Sequence, residues 1–261
     1  MNYDKILVVG GNSSIAGFVM PTLNFDKNIL YSTVRTKNRS IKNWVRPNNT
    51  FVSDFPNNRD SLMQMRDLLA PNRIEKIMIL NFIGIFGKPQ PIENLETQEA
   101  LAVINENLGS FINLAKFIFE LPQESILISF SGAGVGGENM DVSSPGYLAS
   151  KIAMAALAET LDEQLWEKKR SRIALVAPGP FPSRMQSEVS GAGPGFVSEA
   201  ARKVAQAVSV TNSKINKLSE AVKWISNNPE IAGGKIWSAA YDDFLNGNFS
   251  SNYGLLRRQI Y

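Results

Sequence analysis

The sequence predicts a single doubly wound α/β domain, built on a parallel sheet of about seven strands with helices on both faces. Short apolar runs alternate with longer amphipathic stretches over roughly the first 180 residues, as they do in βαβ units. A turn of small residues directly follows the first of these runs. The length of 261 residues suits one large domain, so we expect residues 1–261 to form one unit.

Seven short segments are candidate strands, because each is apolar or β-branched and is bounded by turn-forming residues. The first, Ile6-Leu7-Val8-Val9, is apolar throughout, which is typical of a strand buried on both faces of a parallel sheet. The predicted strands are 5–9, 29–34, 50–52, 76–80, 125–129, 173–176 and 235–238.

Three longer segments have apolar residues at helical spacing and predict helices over 61–70, 97–119 and 145–167. The second of these helices has one apolar side, formed by Ile104, Leu108, Phe111, Ile112, Ala115 and Ile118. The last two helices are long and apolar enough to pack between subunits as well as against the core. We therefore expect a homodimer or a homotetramer.

Two segments depart from this regular pattern. Pro21 lies inside the helix expected after Ser14 and predicts a kink or an early end to that helix. The alternation also lapses at about residues 180–218, where the first half is rich in Gly, Pro and Ser. In a compact domain such a stretch is a substrate-covering loop or an insertion, so this region is expected to be the variable wall of a substrate pocket.

The composition excludes several kinds of catalysis, because the chain contains no cysteine and no histidine. Disulfides, thiol nucleophiles, thiolate or imidazole metal sites and Ser-His triads are ruled out, and we expect no metal. The net charge of +3 comes from scattered cations, so we expect no nucleic-acid partner. No apolar run could span a bilayer and no export leader precedes the first strand, so we expect a cytoplasmic protein without a membrane partner.

The turn after the first strand predicts a dinucleotide site of the Rossmann type. It reads Gly10-Gly11-Asn12-Ser13-Ser14-Ile15-Ala16 and leads into a helix. Small residues permit tight curvature, so that backbone amides and a helix N-terminus can face a pyrophosphate. The expected cofactor contacts here are Gly10, Asn12, Ser13, Ser14 and Ile15. The alternative is a strand-to-helix turn that merely uses small residues.

Arg35 lies just past the second predicted strand, with Lys37 and Arg39 close behind. An acidic residue at this point would bind the ribose 2′-hydroxyl of NAD, whereas a guanidinium favours the 2′-phosphate of NADP. No acid occupies the strand end, so we predict NADP as the preferred cofactor and NAD as the alternative. In the other interpretation, these cations are ordinary exposed surface charge.

Tyr147 and Lys151 lie four residues apart on one face of the helix that begins near Pro145. A nearby cation stabilises phenolate, so the pair predicts a tyrosine with a lowered pKa that exchanges a proton with a substrate oxygen. This spacing alone is common by chance, and a buried tyrosine beside a solvated lysine is the alternative. Its place among other ordered motifs favours catalysis.

From about residue 4 to residue 185 these motifs resemble the short-chain dehydrogenase/reductase family. Gly10, Ser14 and Ala16 stand where the family has the glycines of its TGxxxGxG turn, and Tyr147 with Lys151 matches its YxxxK. The other matching positions are Asp54 after the third strand, Asn81 and Gly84 in place of NNAG, Asn107, Ser131 at the end of the fifth strand, and Pro178 with Gly179 after the sixth.

The resemblance implies an NAD(P)-dependent oxidoreductase that transfers hydride between nicotinamide and a carbonyl or secondary alcohol. Tyr147 would be the general acid or base, and Lys151 would lower its pKa. Ser131 would hold the reacting oxygen, and Asn107 would position a water that relays the proton. The cofactor contacts that the resemblance implies are Asp54, Asn81, Gly84, Tyr147, Lys151, Pro178 and Gly179.

The sequence also departs from the family pattern. Ser14 and Ala16 replace turn glycines but stay small, so we expect an altered yet usable phosphate cradle. Phe82 and Ile83 replace the middle two residues of NNAG, so the contacts on the adenine side of the cofactor are expected to differ from those of the family. The loop over 134–144 is longer than usual and is expected near the substrate entrance. Strand alternation allows either Ser129 or Ser131 to face the site, and we choose Ser131 for its strand-end position.

The substrate is the least determined part of the prediction. Phe181, Met185 and the glycine-rich segment after Ser190 are expected to line the pocket. The segments 233–244 and 255–258 resemble members that accompany surface-polysaccharide synthesis, which favours a sugar or sugar-nucleotide carbonyl over other ketones and alcohols. Two other functions stay open: a non-catalytic dinucleotide-binding regulator, and a sugar-nucleotide epimerase or dehydratase that retains its cofactor.

Overall fold

A computed structural model of the chain describes residues 3–35, 43–69, 76–90, 92–132, 135, 144–193, 196–197 and 199–249. Within these ranges, seven strands form one parallel sheet in the order β3-β2-β1-β4-β5-β6-β7. The strands are β1 (Lys5–Val9), β2 (Leu30–Val34), β3 (Thr50–Val52), β4 (Lys76–Asn81), β5 (Glu124–Phe130), β6 (Arg172–Ala177) and β7 (Ile236–Ser238). The predicted parallel sheet of about seven strands is confirmed.

Helices connect the strands and cover the sheet. They are α1 (Ser14–Leu23), α2 (Arg59–Leu69), α3 (Thr97–Ile104), α4 (Ser110–Glu120), α5 (Pro145–Lys169), α6 (Arg184–Gly191), α7 (Glu199–Ala207), α8 (Asn212–Asn227) and α9 (Pro229–Ala232). A π-helical turn over Asn105–Gly109, called the π turn below, joins α3 to α4. In the described part of the chain, no helix has the length and apolar character needed to cross a membrane.

The core has two layers, one on each face of the sheet. Along β1, Ile6 and Val8 pack on one face beneath α1 and α8, whereas Leu7 and Val9 pack on the other beneath α2, α4 and α5. These four side chains are almost fully buried. Burial of each contributes about 1.5–3 kcal/mol, so burial on both faces explains why the strands are apolar throughout.

The strand order places a crevice at one edge of the sheet. The order reverses between β1 and β4, and the register pairs Val9 with both Thr33 and Asn81. Asn81 in turn pairs with Ser129 on β5. The carboxyl ends of these strands therefore end together, and the residues that follow them share this edge. In open parallel sheets, ligands bind in the crevice at such a reversal.

Two local expectations differ from the structure, and a third agrees with it. The helix predicted over 97–119 is divided by the π turn into α3 and α4, because helical periodicity does not show where an extra backbone residue is inserted. The irregular region at about 180–218 contains α6, α7 and the start of α8 rather than a continuous loop. Pro21 lies within α1, and the helix ends at Leu23, two residues after it. This agrees with the early end that the proline predicted.

Candidate active site

Tyr147 and Lys151 lie in the first turns of α5, which begins at Pro145, a residue suited to a first helical position. Both side chains are buried, with 4% and 2% of their surface exposed. Lys151 Nζ lies 5.7 Å from the centre of the Tyr147 ring and donates a hydrogen bond to the Phe130 carbonyl at 2.9 Å. The carbonyl at the end of β5 therefore holds the ammonium beside the phenol.

Burial changes the acidity of this pair in a way that the sequence did not predict. We expected Lys151 to lower the pKa of Tyr147, but burial raises the pKa of the phenol above its usual value of 10.0. Burial also lowers the pKa of the Lys151 ammonium to about 8. Removing either group from water disfavours its charged form, and this effect exceeds their mutual attraction. Tyr147 is therefore a neutral phenol, the form that donates a proton.

The structure distinguishes the two candidate serines at the end of β5. Ser129 Oγ accepts a hydrogen bond from Asn81 Nδ2 at 3.0 Å, within the sheet. Ser131 is 5% exposed, its amide bonds to the Val176 carbonyl, and its buried Oγ has no hydrogen-bond partner among the residues that the structure describes. An unpaired buried hydroxyl costs stability unless it bonds a ligand or an ordered water, so Ser131 Oγ is free to bond a substrate oxygen, whereas Ser129 Oγ is engaged. The geometry thus favours Ser131 over Ser129.

Asn107 occupies the middle of the π turn and is 2% exposed. Its side chain bonds the Ile85 backbone twice, with Oδ1 accepting from the amide at 2.8 Å and Nδ2 donating to the carbonyl at 2.9 Å. Nδ2 also donates to Ser150 Oγ at 3.0 Å, and Ser150 Oγ donates to the Tyr147 carbonyl at 2.7 Å. Asn107 therefore fastens α5 to the chain after β4. The role of Ser150 was not foreseen, although it lies between Tyr147 and Lys151.

Gly132 is a second residue that the sequence did not single out. A Cβ atom at this position would overlap the hydroxyl of Tyr147. Glycine is thus required here for steric reasons, and it directly follows Ser131. The backbone after β5 approaches the phenol closely because this residue has no side chain.

Replacing Gly132 by alanine is therefore expected to displace the Tyr147 hydroxyl. We expect kcat to fall by about 100-fold, the loss typical of a misplacement of about 1 Å, while the affinity for NADPH stays within a few-fold of the parent. Steady-state kinetics and calorimetric titration measure the two quantities. Gly109→Ala is the matched control, because a Cβ atom there meets nothing within 4 Å in the described residues beyond its own helix backbone and chain neighbours. Equal kinetics for the two variants would exclude the steric role of Gly132.

The turn after β1 has the backbone shape that a phosphate cradle needs. Gly10 has φ +74°, and Ser13 Oγ caps α1 by accepting from the Ala16 amide at 3.1 Å. A side chain on Gly11 would overlap Ser32 Oγ. The predicted contacts Asn12, Ser14 and Ile15 lie in this turn and in the first turn of α1, whose amides point out of the helix end.

Other predicted cofactor residues lie along the same edge. Asn81 ends β4, and its Oδ1 accepts from the Ile83 amide at 3.0 Å. A Cβ atom on Gly84 would come within 3.7 Å of Lys151 Nζ, so Gly84 lies against the ammonium. Pro178 and Gly179 follow β6, and Gly179 has φ +76°, a conformation that favours glycine.

Arg35 and Asp54, predicted as separate contacts, meet each other in the structure. Arg35 Nε lies 3.3 Å from Asp54 Oδ1, and Arg35 Nη2 bonds Glu106 Oε1. Glu106 was not predicted to take part, and its only signal in the sequence is its place before Asn107. Lys37 and Arg39 lie outside the described residues.

Helices α6 and α7 cover the phenol with apolar side chains. The cluster around Tyr147 consists of Phe86, Val103, Val189, Val197 and Ala205, with Met185, Ala192 and Ala201 packed against it. The rings of Phe86 and Tyr147 are 5.2 Å apart. Met185 thus packs near Tyr147, and its place in the pocket wall stays a prediction, whereas Phe181 does not lie near the phenol. Phe181 packs against Phe18 in the core layer beneath α1.

Comparisons with known proteins agree with this architecture. The family model described as short chain dehydrogenase matches residues 69–194. A short-chain dehydrogenase/reductase from Saccharomyces cerevisiae superposes with a TM-score of 0.73 at 18% identity, covering 94% of this chain and 99% of that one. The carbonyl reductase Sniffer of D. melanogaster gives 0.66 at 20% identity, covering 91% and 97%.

An aldohexose dehydrogenase from Thermoplasma acidophilum also gives a TM-score of 0.66, at 13% identity, covering 90% of this chain and 92% of that one. At these identities the structural likenesses show a shared fold. No sequence among the curated proteins matches this chain.

Proposed function

We propose that this chain is an oxidoreductase of the short-chain dehydrogenase/reductase family, whose model matches residues 69–194. It transfers hydride between NADP and a carbonyl or secondary alcohol, with Tyr147 as the proton donor or acceptor. One observation carries the proposal. Lys151 lies beside the buried Tyr147 ring and bonds the Phe130 carbonyl, and the Tyr147 hydroxyl packs against Gly132. Ser131, whose hydroxyl has no partner among the described residues, stands between Phe130 and Gly132 in the chain, at the same sheet edge as the Gly10 turn. A phenol, an ammonium and an unsatisfied hydroxyl together suit proton transfer to a carbonyl oxygen.

The residues at this edge fit a dinucleotide cofactor. Gly10 and the first turn of α1 offer a close backbone approach and amides suited to a pyrophosphate. Lys151 has three N–H donors, and it uses one on the Phe130 carbonyl and one on Met154 Sδ at 3.9 Å, which leaves one for the nicotinamide ribose. Arg35 supports NADP over NAD, because a guanidinium directly after β2 suits a ribose 2′-phosphate. NAD stays the alternative.

The side chains have distinct roles in the proposed reaction. The nicotinamide supplies or accepts the hydride. In reduction, Tyr147 donates its proton to the substrate oxygen, and in oxidation it accepts one. Ser131 Oγ donates a hydrogen bond to that oxygen, which satisfies its own buried hydroxyl. Lys151 stabilises the phenolate of Tyr147 after the proton has left. Asn107 fixes the π turn against the Ile85 backbone, so that this turn can position a water that relays the proton.

The proposed substrate has apolar groups next to the reacting carbon, because the side chains around the phenol are apolar. A sugar or sugar-nucleotide carbonyl is the second candidate. Its support came from 233–244 and 255–258, of which 255–258 lies outside the described residues. Within 233–244, Trp237 and Phe244 pack with Trp224 in an aromatic cluster rather than beside Tyr147. A homo-oligomeric state and a cytoplasmic location stay predictions.

Two measurements test this function. NADPH and NADH are first titrated separately, and turnover of a substrate panel is then followed by nicotinamide absorbance. The panel pairs apolar ketones with sugar and sugar-nucleotide carbonyls of similar size. We expect turnover of apolar ketones with a preference for NADPH. Tight NADPH binding without turnover of any panel member would point to a regulator instead. Cofactor that copurifies with the protein and shows no net redox change would point to an epimerase or dehydratase.

The serine assignment gives a separate prediction. Ser131→Ala should lower kcat by about 100-fold, because it removes a hydrogen-bond donor to the reacting oxygen. Ser129→Ala, the matched control, should keep kcat within a few-fold and lose about 1 kcal/mol of unfolding free energy, since Asn81 Nδ2 loses its partner. Kinetics and urea unfolding of both variants distinguish the roles. The reverse pattern would reassign the site to Ser129.

A further inference from the structure

Three charged side chains from separate elements meet beyond the end of β2. Arg35 Nε lies 3.3 Å from Asp54 Oδ1 after β3, and Arg35 Nη2 bonds Glu106 Oε1 of the π turn. The Glu106 side chain is 18% exposed, against 60% for Asp54. An ion pair sheltered from water is stronger than an exposed one, so Glu106 is the more effective partner of Arg35.

This cluster lies beside the expected adenosine end of the cofactor site. Arg35 directly follows β2, which pairs with β1, and β1 leads into the Gly10 turn. Arg35 is therefore the cation that a ribose 2′-phosphate would need. Glu106 approaches this guanidinium from the π turn and uses donors that the phosphate would require.

We propose that Glu106 is a specificity-determining residue that weakens the preference of the protein for 2′-phosphorylated cofactors. The inference rests on the proposed NADP-dependent function and concerns its adenosine end. Glu106 competes with the 2′-phosphate for the Arg35 guanidinium. The preference of the parent protein for NADPH over NADH is consequently smaller than Arg35 alone would give.

The charges explain the direction of the effect. Arg35, Asp54 and Glu106 together carry a net charge of −1, although a guanidinium is at their centre. A 2′-phosphate dianion must displace a carboxylate from Arg35 and also meets its repulsion. A neutral 2′-hydroxyl meets no such repulsion and can donate to either carboxylate. Removing the Glu106 charge therefore favours the phosphorylated ligand selectively.

Binding of two nucleotide fragments tests the inference without any turnover. Adenosine 2′,5′-bisphosphate and AMP differ by the 2′-phosphate alone, and calorimetry at one fixed ionic strength gives their dissociation constants. Glu106→Gln keeps the shape of the side chain and removes its charge. We expect it to bind the bisphosphate about tenfold more tightly than the parent, and AMP within twofold of the parent.

Two further variants and a control make the result specific. Glu124→Gln has the same change in charge, but Glu124 pairs with Lys76 at the opposite end of the sheet, so it should leave both constants unchanged. Arg35→Ala should abolish the tenfold gain when combined with Glu106→Gln. If circular dichroism shows that Glu106→Gln folds poorly, Glu106→Asp replaces it as the test. This variant keeps the charge on a shorter side chain, so we expect it to bind the bisphosphate more tightly than the parent, but by less than tenfold.

An unchanged ratio of the two constants in folded Glu106→Gln, or a gain equal to that of Glu124→Gln, would overturn the inference. In that case a parent protein that binds both fragments and oxidises NADPH would keep its proposed function. A parent protein that neither binds the fragments nor turns over NADPH would instead remove the proposed function itself.

Discussion

Replacing Tyr147 by phenylalanine is expected to lower kcat by about 1,000-fold while the dissociation constant for NADPH stays within about twofold. The variant removes only the hydroxyl. The ring keeps its contact with Phe86 and its place in the apolar cluster beneath α6 and α7. Proton transfer to the substrate oxygen then depends on water, which this buried site largely excludes. Single-turnover kinetics with an apolar ketone measure the chemical step directly.

Tyr31→Phe is the matched control for this prediction. Tyr31 lies on β2, where its ring stacks on Phe51, and the substitution removes the same hydroxyl from a position away from the apolar cluster. Its turnover should stay near that of the parent. If Tyr147→Phe also keeps turnover within tenfold of the parent, another group donates the proton and the assignment of Tyr147 is wrong.

Replacing Lys151 by methionine should have opposite effects on activity and stability. We expect kcat/KM to fall by about 1,000-fold, because the phenolate loses its cation and the nicotinamide ribose loses a donor. The unfolding free energy at pH 7 should rise, because a buried ammonium is replaced by an apolar side chain of similar length. Loss of the bond to the Phe130 carbonyl offsets part of this gain.

The stability difference should depend on pH in a defined direction. The pKa of Lys151 is lowered from 10.5 to about 8 in the folded protein. Between these two values the unfolded chain binds a proton that the folded protein does not, so parent stability rises with pH. The Lys151→Met variant lacks this rise. Its advantage should therefore be largest below pH 8 and should shrink by up to about 3 kcal/mol towards pH 10.5.

Urea unfolding of parent and variant at pH 7.5 and pH 9.5 measures this change. Lys27→Met is a control for the substitution itself, because Lys27 donates to the Asn43 carbonyl from an exposed position. Its unfolding free energy should stay within about 0.5 kcal/mol of the parent, as is usual for exposed positions. A Lys151→Met advantage that stays constant across this range would mean that Lys151 is not desolvated as the structure indicates.

The sheet was predictable because short stretches of sequence show which residues must be buried. Runs such as Ile6-Leu7-Val8-Val9 have to be buried on both faces, and alternation with amphipathic segments leaves a parallel sheet as the natural arrangement. Strand ends differed by a residue or two, as at β4, which continues to Asn81. The division of 97–119 by the π turn was not predictable, since the apolar spacing continues through it.

The candidate site was predictable where a sequence motif fixes the positions of its residues. Tyr147, Lys151 and Ser131 were identified in this way, and the structure brings them to one edge. The missed features depend on contacts between distant parts of the chain. Glu106 reaches Arg35 across the sheet edge, and Gly132 matters only because Tyr147 packs against it. Neither contact leaves a pattern in the sequence.

The acidity of the pair was mispredicted for a similar reason. Sequence spacing shows that Tyr147 and Lys151 are neighbours, and attraction between them would lower the pKa of the phenol. It does not show how completely α5, α6 and α7 exclude water from them. Burial opposes both charges, so it raises the pKa of Tyr147 and lowers that of Lys151.

A crystal structure of the protein with NADPH decides whether the cofactor binds at the edge formed by the Gly10 turn, Tyr147 and Lys151. We expect the pyrophosphate against the Gly10 turn, the nicotinamide ribose bonded to Lys151 Nζ, and the nicotinamide beside Tyr147 and Ser131. If NADPH binds away from this edge, or binds here with its nicotinamide out of reach of Tyr147, then Tyr147 is not the proton donor.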